Sequence, residues 1–257
     1  EYIYVRHYDK QPGPQTDQIR AWSDAIDVKR CEEKLQTLRR KNRENKRYPP
    51  QEGAGEDKPF DATLDEDAGN LDKARKLWQE TKEGGSRRWG LVADNHLHML
   101  KEVENRDKDF EEIHKAMGEF ATEPDLESTE KEAFLAWRAE HIGDRRLALS
   151  RFQGLKKDFA KEPTLSPWYL YAASKSKKLD NNLDKEPQEK SAAVDHVKDK
   201  FETEAKKSSE DKKDLPKVRA LCLDIIALYE KDEDKTLKAL VEQAEKRLMA
   251  LPPPKRR

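Results

Sequence analysis

The side chains best placed to bind a metal lie around two neighbouring histidines. Asp94, His98 and Glu102 recur every four residues, so on a helix they would share one side, and with a further ligand they could hold zinc. His96, two residues before His98, would point to a different face. A solvated charged stripe has the same spacing, and 41% of all residues are charged. We therefore expect a charged helix surface here and no metal site.

Two further segments resemble ligand-binding loops only in part. The run Gly84–Arg88 begins like a phosphate-binding loop but lacks the Gly-Lys-Ser/Thr that grips phosphate and magnesium, so it predicts a helix end with Ser86 as the next N-cap. If Asp65 is the first position of a calcium loop, the required Gly and Glu are replaced by Asn70 and Lys76. The acidic residues around Asp65 are therefore expected to end a helix.

The remaining histidines show no catalytic pattern. His114 and Glu111 are spaced as an ordinary surface pair, and His7, His141 and His196 have no sequence neighbour that suggests a nucleophile and its base. Carboxylate pairs are frequent, but none has the apolar surroundings that raise a pKa. We predict no catalytic residue, no cofactor and no metal.

The composition argues against several classes of protein. The 257 residues include 52 Lys and Arg and 53 Asp and Glu, which give a net charge of -1 and argue against nucleic-acid binding. No run approaches the about 18 consecutive apolar residues of a membrane span. The mean hydropathy of -1.14 leans toward disorder, but five Trp, seven Phe and seven Tyr supply anchors for a core. We expect no nucleic-acid partner and no membrane insertion within this chain.

A basic segment from Arg39 to Arg47 could contact phosphate or an acidic partner. The single aromatic residue beside it is Tyr48, which gives little support for stacking on nucleic-acid bases. The helix dipole favours positive charge at the C-terminal end of a helix. We therefore expect a solvated helix end.

Two cysteines, Cys31 and Cys222, lie far apart in the sequence. They have no zinc-binding spacing and form no disulfide framework. Two buried thiols are the simpler interpretation, and a long-range disulfide stays open.

The elements that carry these residues are predicted to be nearly all helical. There are 25 Leu against eight Val and seven Ile, although β-branched residues are those that a sheet prefers. After Asp61, Gly and Pro residues divide the chain into short helices. A first helix is expected from Thr16 to about Asn45, and a thin, mobile one over about 188–208. The first helix has an interrupted apolar face, formed by Ile19, Trp22, Ile26, Leu35 and Leu38.

The sequence also contains an internal repeat. One pattern occurs twice: a Gly, a polar residue, any three residues, an Ala, any three residues and an aromatic residue. The first copy contains Gly69, Ala74 and Trp78, and the second contains Gly143, Ala148 and Phe152. Each copy is followed by a Trp-x-Leu-x-Ala segment that opens a second helix: Trp89 with Ala93, then Trp168 with Ala172. In a degraded third copy the corresponding core positions are Cys222, Leu240 and Ala244.

This pattern predicts a stack of helix hairpins. The Gly permits a tight turn, and an Ala four residues before an aromatic lies on the same helix face, where it lets a neighbouring helix approach. The copies are about 70 residues apart, about twice a tetratricopeptide unit, so one unit would hold about four helices, with Asp107–Phe120 and Glu127–Ile142 as the extra pair. Chance similarity between amphipathic helices is the alternative. The fold class we predict is all-α, an array of antiparallel helix hairpins in a tetratricopeptide-like right-handed superhelix.

We divide the chain accordingly. An N-terminal helical segment over 1–47 is followed by a loop over 48–60, and helical repeats 1 and 2 occupy 61–179. The degraded third repeat, with its mobile charged helix, covers 180–251, and 252–257 is a tail. Because the sequence starts at Glu1 with no signal-peptide pattern, we expect the first segment to be part of a truncated repeat in a longer protein.

The repeat resembles a tetratricopeptide-like module. More narrowly, the chain resembles the helical C-terminal region of planctomycete serine/threonine protein kinases, through Asp17–Trp22, Ala74–Trp78, Gly143–Phe152 and Val218–Cys222. The resemblance implies a tail on the extracytoplasmic side of a bacterial membrane, behind a membrane span and a cytoplasmic kinase domain. No kinase motif is present in the chain itself, so the resemblance assigns no catalytic residue.

The sequence therefore predicts a non-catalytic helical-repeat module that binds a protein or peptide of unidentified kind, with sensing or scaffolding in a membrane-anchored kinase as its context. Two alternatives stay open. An enzyme fragment would be supported by a pocket that combines two or more of His98, His114 and His141 with a carboxylate. A charged structural spacer would have a uniformly solvated surface.

Overall fold

The computed structural model describes the chain in five ranges: residues 14–44, 56–160, 166–183, 190–210 and 214–254. Within these ranges the chain forms ten α-helices and no strand, so the predicted all-α fold class is confirmed. Some residues named in the sequence predictions lie outside the described ranges. They are His7, the basic residues after Glu44, Tyr48 and residues 255–257 of the predicted tail.

Ten helices account for most of the described residues. They are α1 (Pro14–Arg43), α2 (Asp57–Asp67), α3 (Leu71–Glu83), α4 (Arg87–Phe120), α5 (Ser128–Ile142), α6 (Arg145–Phe159), α7 (Pro167–Leu183), α8 (Lys190–Glu210), α9 (Leu215–Tyr229) and α10 (Lys235–Ala250).

Helices that follow one another in the chain pack as hairpins. The pairs are α2 with α3, α5 with α6, and α9 with α10. Gly69 and Gly143 lie in the first two of these turns with φ values of 74° and 99°, in the left-handed region that side-chain-bearing residues rarely adopt. The two turns reverse the chain within three and two residues, respectively, between Asp67 and Leu71 and between Ile142 and Arg145.

The chain forms two compact units. The first comprises residues 1–103 and 161–170, and the second comprises residues 104–160 and 171–257. In the first unit, α1 packs on α2 and α2 packs on α3. In the second unit, α9 lies at the centre of the packing, because it contacts α5, α8 and α10.

The helices after residue 86 are not all short. We expected a separate helix over Asp107–Phe120, but α4 continues from Arg87 to Phe120 without interruption. The sequence contains no Gly or Pro between Leu100 and Asp107 that would end it. The apolar side chains of Leu100 and Phe110 are both fully buried, so this segment is held by packing.

The predicted loop over 48–60 ends too late, because α2 already begins at Asp57. Pro59 lies in the first turn, where a backbone N–H has no partner within the helix, so a proline is tolerated there. Phe60 follows it and is 4% exposed, which fixes the turn to the core.

The side chains at the repeat positions are buried with one exception. The buried ones are Ala74, Trp78, Trp89, Ala93, Ala148, Phe152, Ala172, Cys222, Leu240 and Ala244. Trp168, which we expected in the core, is partly exposed. It lies directly after Pro167 in the first turn of α7, and that helix buries the neighbouring Tyr169 and Leu170 instead.

The two aromatic residues of the predicted repeat, Trp78 and Phe152, are both fully buried. Trp78 on α3 stacks on His96 of α4, with ring centroids 4.1 Å apart. Phe152 on α6 meets the edge of Tyr171 on α7, with centroids 5.6 Å apart. In both cases the ring contacts the helix that follows the hairpin.

The apolar face of α1 is covered only in its C-terminal half. Cys31, Leu35 and Leu38 are buried, whereas Trp22 and Ile26 are 64% and 42% exposed. Cys31 and the distant Cys222 are both buried free thiols, so the alternative of a disulfide between them is wrong.

Candidate functional site

An open groove in the second unit is the candidate functional site. It lies between α5, the C-terminal half of α9 and the connection 121–127, and its volume is about 570 Å³. Its apolar lining comprises Pro124, Leu126, Phe134, Leu135, Leu223, Ile226, Ala227 and Leu228. Its charged lining comprises Glu123, Lys131, Glu132, Arg138, Arg151, Glu230 and Lys231.

Helix periodicity places the lining on two facing surfaces. Leu135 and Arg138 are three residues apart on α5, and Leu223 and Ile226 are three apart on α9, so each pair shares a helix face. Leu135, Leu223 and Ile226 are only half buried. The groove therefore offers apolar surface that the unit itself leaves partly uncovered.

The charged lining residues form the rim of the groove, and some of them are in ion pairs whereas others are not. Arg151 and Glu132 form an ion pair of 3.2 Å across the α5–α6 hairpin. Lys131, Lys231 and Glu230 are exposed and have no ion pair among the described residues.

Arg138 is the buried charge of the groove wall. It is 1% exposed, and its Nε donates a 2.6 Å hydrogen bond to Asp224 Oδ1, while Asp224 is itself fully buried. Its two terminal nitrogens donate to the two carboxylate oxygens of Glu123, at 2.9 and 3.1 Å. The guanidinium carbon also lies 5.5 Å from the ring centre of Phe134, within cation–π distance. Hydrogen bonds thus satisfy three nitrogens of a charge that would otherwise be costly to bury.

Asp224 joins this arginine to a pair of histidines. Its second oxygen lies 2.8 Å from His114 Nε2, so the expected surface pair of His114 with Glu111 is wrong. His141 lies 4.8 Å from His114 between ring centroids and stacks on Trp137 at the same distance.

The electrostatics of this pair lower the basicity of His141. Although the residue is exposed, desolvation of its ring and the nearby charges of His114 and Lys200 lower the pKa of His141 to about 4. The ring is therefore neutral at physiological pH.

This cluster bears on the enzyme alternative. It unites His114, His141 and a carboxylate, as that alternative requires, but neither ring is part of the groove lining. His98 lies elsewhere, 74% exposed and 3.4 Å from Glu102, as the charged stripe predicts. The described residues contain no group of three or more His, Cys, Asp or Glu side chains arranged to hold a metal.

The first unit contains a second buried network, centred on Glu66. This fully buried carboxylate accepts hydrogen bonds from Trp78 Nε1 at 2.8 Å and from Arg39 Nη2 at 2.6 Å, and it lies 2.8 Å from His96 Nδ1. Arg39 Nε lies 3.3 Å from Asp67 as an ion pair without hydrogen-bond geometry. Arg39 is thus buried, and the expectation of a solvated helix end is wrong at this residue.

His96 and Glu66 stabilise each other's charged forms. Burial alone would lower the pKa of His96, but the carboxylates of Glu66 and Glu32 raise it above its ordinary value. Burial alone would raise the pKa of Glu66, but His96 and Arg39 lower it. The network links helices α1 to α4 through two ion pairs and the hydrogen bond from the Trp78 indole, so it has a structural explanation.

Sequence reasoning missed these buried charges, although a signal was present. Arg138 lies in the segment Ala133–Ala139, whose other side chains are apolar, and Asp224 is flanked by Leu, Cys and Ile residues on both sides. A single charge within an apolar helix segment indicates a buried group that requires a partner. The sequence does not reveal that Arg138 and Asp224 are partners, because they are 86 residues apart.

Comparison with other proteins gives no relative from which a site could be transferred. No family model matches the sequence, and neither a curated protein nor a solved structure matches it at a significant level.

In the part of the chain that the structure describes, no helix is both long and apolar enough to cross a membrane.

Proposed function

We propose that the chain is a non-catalytic helical module that binds a short segment of a protein partner in the groove between α5 and α9. The observation that carries the proposal is the combination of a partly uncovered apolar floor with a charged rim. An apolar centre surrounded by polar groups is the usual anatomy of a protein interface.

The dimensions support a peptide segment as the ligand. A volume of about 570 Å³ lies within the range of ligand sites, about 300–1,000 Å³. The groove is open, and Leu135, Leu223 and Ile226 project from two helices. One or two apolar side chains of a peptide would cover them, and its backbone and polar groups would stay near the rim.

Selection from a random peptide library on the purified chain tests this proposal. We expect the selected peptides to lose at least about tenfold in affinity for Leu223→Asp, because a charge in the floor would have to be desolvated on binding. Met249→Asp is the matched control, since Met249 is an 84% exposed apolar residue of the same unit outside the groove. Binding that is equally affected by both substitutions, or by neither, would contradict a peptide site in this groove.

The same selection decides between this function and a structural spacer. A spacer with no specific ligand predicts that no peptide sequence is enriched over a helical control of the same charge. Enrichment of peptides that share apolar anchors would exclude it.

The cellular context is a second part of the proposal, and it rests on the resemblance to planctomycete kinase tails alone. We propose that this module is the extracytoplasmic sensing or scaffolding tail of a membrane-anchored serine/threonine protein kinase. The coding sequence upstream of Glu1 tests it. A kinase domain followed by an apolar stretch of about 20 residues is expected, and an open reading frame without them would contradict it.

A further inference from the structure

The two acidic partners of Arg138 differ in kind. Asp224 is fully buried on α9 and also contacts His114, so it is fixed by the core. Glu123 is 49% exposed and belongs to the connection 121–127, which has no helix of its own. Only the Glu123 carboxylate lies where a molecule in the groove could take its place, because both Glu123 and Arg138 line the groove.

Arg138 binds Glu123 in the same way as it would bind the carboxylate of a ligand. Two parallel hydrogen bonds of 2.9 and 3.1 Å join the fork of the guanidinium to the two oxygens of Glu123. A carboxylate from another chain could make the same two bonds. Arg138 would keep a full set of partners in the exchange, and the half-exposed Glu123 side chain could turn to water at little cost.

The charge of the rim favours an acidic ligand. Lys131 and Lys231 are exposed on opposite sides of the groove and form no ion pair among the described residues, and Glu230 is the one rim carboxylate in the same condition. The other charged lining residues form ion pairs, Arg151 with Glu132 and Arg138 with Glu123. The unpaired rim charge is therefore positive, which attracts a segment of negative charge.

From these contacts we propose that Glu123 occupies the position on Arg138 that a carboxylate of a partner protein takes when it binds. The partner is an acidic peptide segment in which an Asp or Glu side chain replaces Glu123 on Arg138, while an adjacent apolar side chain covers the groove floor. The inference rests on the proposed peptide-binding function and adds the chemistry of the ligand and a competing internal contact.

Competition predicts that removal of the Glu123 charge strengthens binding. If the internal contact is closed nine times in ten, the apparent dissociation constant is about tenfold higher than that of an open groove. The substitution Glu123→Gln is therefore expected to tighten the binding of an acidic peptide by up to about tenfold, with little change for a neutral one.

The experiment uses two synthetic peptides that differ in one group, acetyl-Leu-Glu-Leu-Leu-amide and its Gln counterpart. Each is titrated into the full isotope-labelled chain, and nuclear magnetic resonance follows the backbone amides and the Arg138 Nε–H signal. The matched control is Glu140→Gln, which removes a carboxylate that is paired with Lys175 in the same unit but lies outside the groove. Arg138→Lys keeps the charge and loses the fork, so it should abolish the preference for Glu over Gln.

The expected result is that the Glu peptide shifts the Arg138 Nε–H signal, binds more tightly than the Gln peptide, and gains affinity in Glu123→Gln but not in Glu140→Gln. Equal binding of both peptides, with shifts confined to the groove floor, would overturn the inference and leave the proposed function standing. If neither peptide binds wild-type chain or Glu123→Gln at millimolar concentration, while library-selected peptides bind the groove, the inference again fails alone. Failure of the selected peptides as well would remove both.

Discussion

At the scale of single residues, two groups of buried charges each combine positive and negative side chains. Arg138 lies between Asp224 and Glu123, and Glu66 accepts hydrogen bonds from Arg39 and the Trp78 indole. Removing one member of a buried pair leaves a charge without compensation, which costs about 3–5 kcal/mol, whereas exposed pairs contribute about 0–1 kcal/mol. The same chemical substitution should therefore have very different effects at buried and exposed glutamates.

Glu66→Gln should lower the free energy of unfolding by about 3 kcal/mol or more, because Arg39 and His96 would lose their shared carboxylate. Glu80→Gln is the matched control, since Glu80 is half exposed and pairs with Lys58 at 2.7 Å. Its effect should stay below about 1 kcal/mol. Urea unfolding followed by circular dichroism measures both, and similar losses for the two variants would contradict the structural importance of the Glu66 network.

The same network makes stability depend on pH in a defined direction. His96 has a raised pKa, so its contribution is full below its ordinary value of 6.5 and is lost as the pH rises through the folded-state pKa. Glu66 has a lowered pKa, so its contribution is present above its ordinary value of 4.5 and is lost as the pH falls through the folded-state pKa. Between these two values both contributions are present.

We therefore expect the free energy of unfolding of wild-type chain to fall as the pH rises above about 6.5, and that of His96→Gln to fall less over the same range. Urea titrations at several pH values measure the two curves. Parallel curves for the two chains would show that His96 is not protonated in the folded state.

At the scale of elements, helix ends are fixed by specific contacts. Gly143 ends α5 in the left-handed conformation, and Lys200 Nζ on α8 donates a hydrogen bond to the carbonyl oxygen of His141 at the same helix end. A positive charge at a helix C-terminus is favourable to the helix dipole. The His196 ring fills the space beside Gly143, so a side chain at that position would collide with it.

Gly143→Ala should therefore destabilise the chain by about 1–3 kcal/mol, since φ is 99° and a β-carbon would overlap the His196 ring. Gly154→Ala on α6 provides the contrast. Apart from the adjacent backbone of its own helix, no atom lies within 4 Å of its added β-carbon, and Ala in a helix is more stable than Gly by about 0.5–1 kcal/mol. Thermal unfolding of both variants checks the opposite signs, and a stabilising Gly143→Ala would contradict the described turn.

At the scale of the whole molecule, each of the two units has its own core and its own buried thiol. Cys31 belongs to the first unit and Cys222 to the second. Burial raises the pKa of Cys31 above its ordinary value and that of Cys222 to about 12. Both thiols are therefore protonated and inaccessible in the folded chain at neutral pH.

Alkylation at pH 8 should accordingly label neither cysteine appreciably in the native chain and both after unfolding, because only the exposed thiolate reacts. Mass spectrometry of pulse-labelled chain across a urea titration follows the exposure of Cys31 and of Cys222 separately. Rapid labelling of Cys222 without urea would contradict its burial in α9.

Part of this architecture could be predicted from local sequence alone. The scarcity of β-branched residues predicts an all-helical chain, and Gly69 and Gly143 mark two tight turns, since backbone conformation there depends on the residue itself. Helix length was less predictable. The lack of Gly and Pro between Leu100 and Asp107 permits the continuous α4 but does not exclude two shorter helices, and the packing of Leu100 and Phe110 decides between them.

What the sequence determined by itself is therefore the helical class, two of the hairpin turns and most of the apolar anchors, because these depend on conformational preferences and spacings within a few turns of helix. Tertiary structure alone decided which charges are buried and which partners they have. Arg138, Glu123 and Asp224 meet across two helices and a connection. No local pattern specifies that meeting, because it arises from the packing of α9 against α5, and the groove beside Arg138 exists only when these helices are in place.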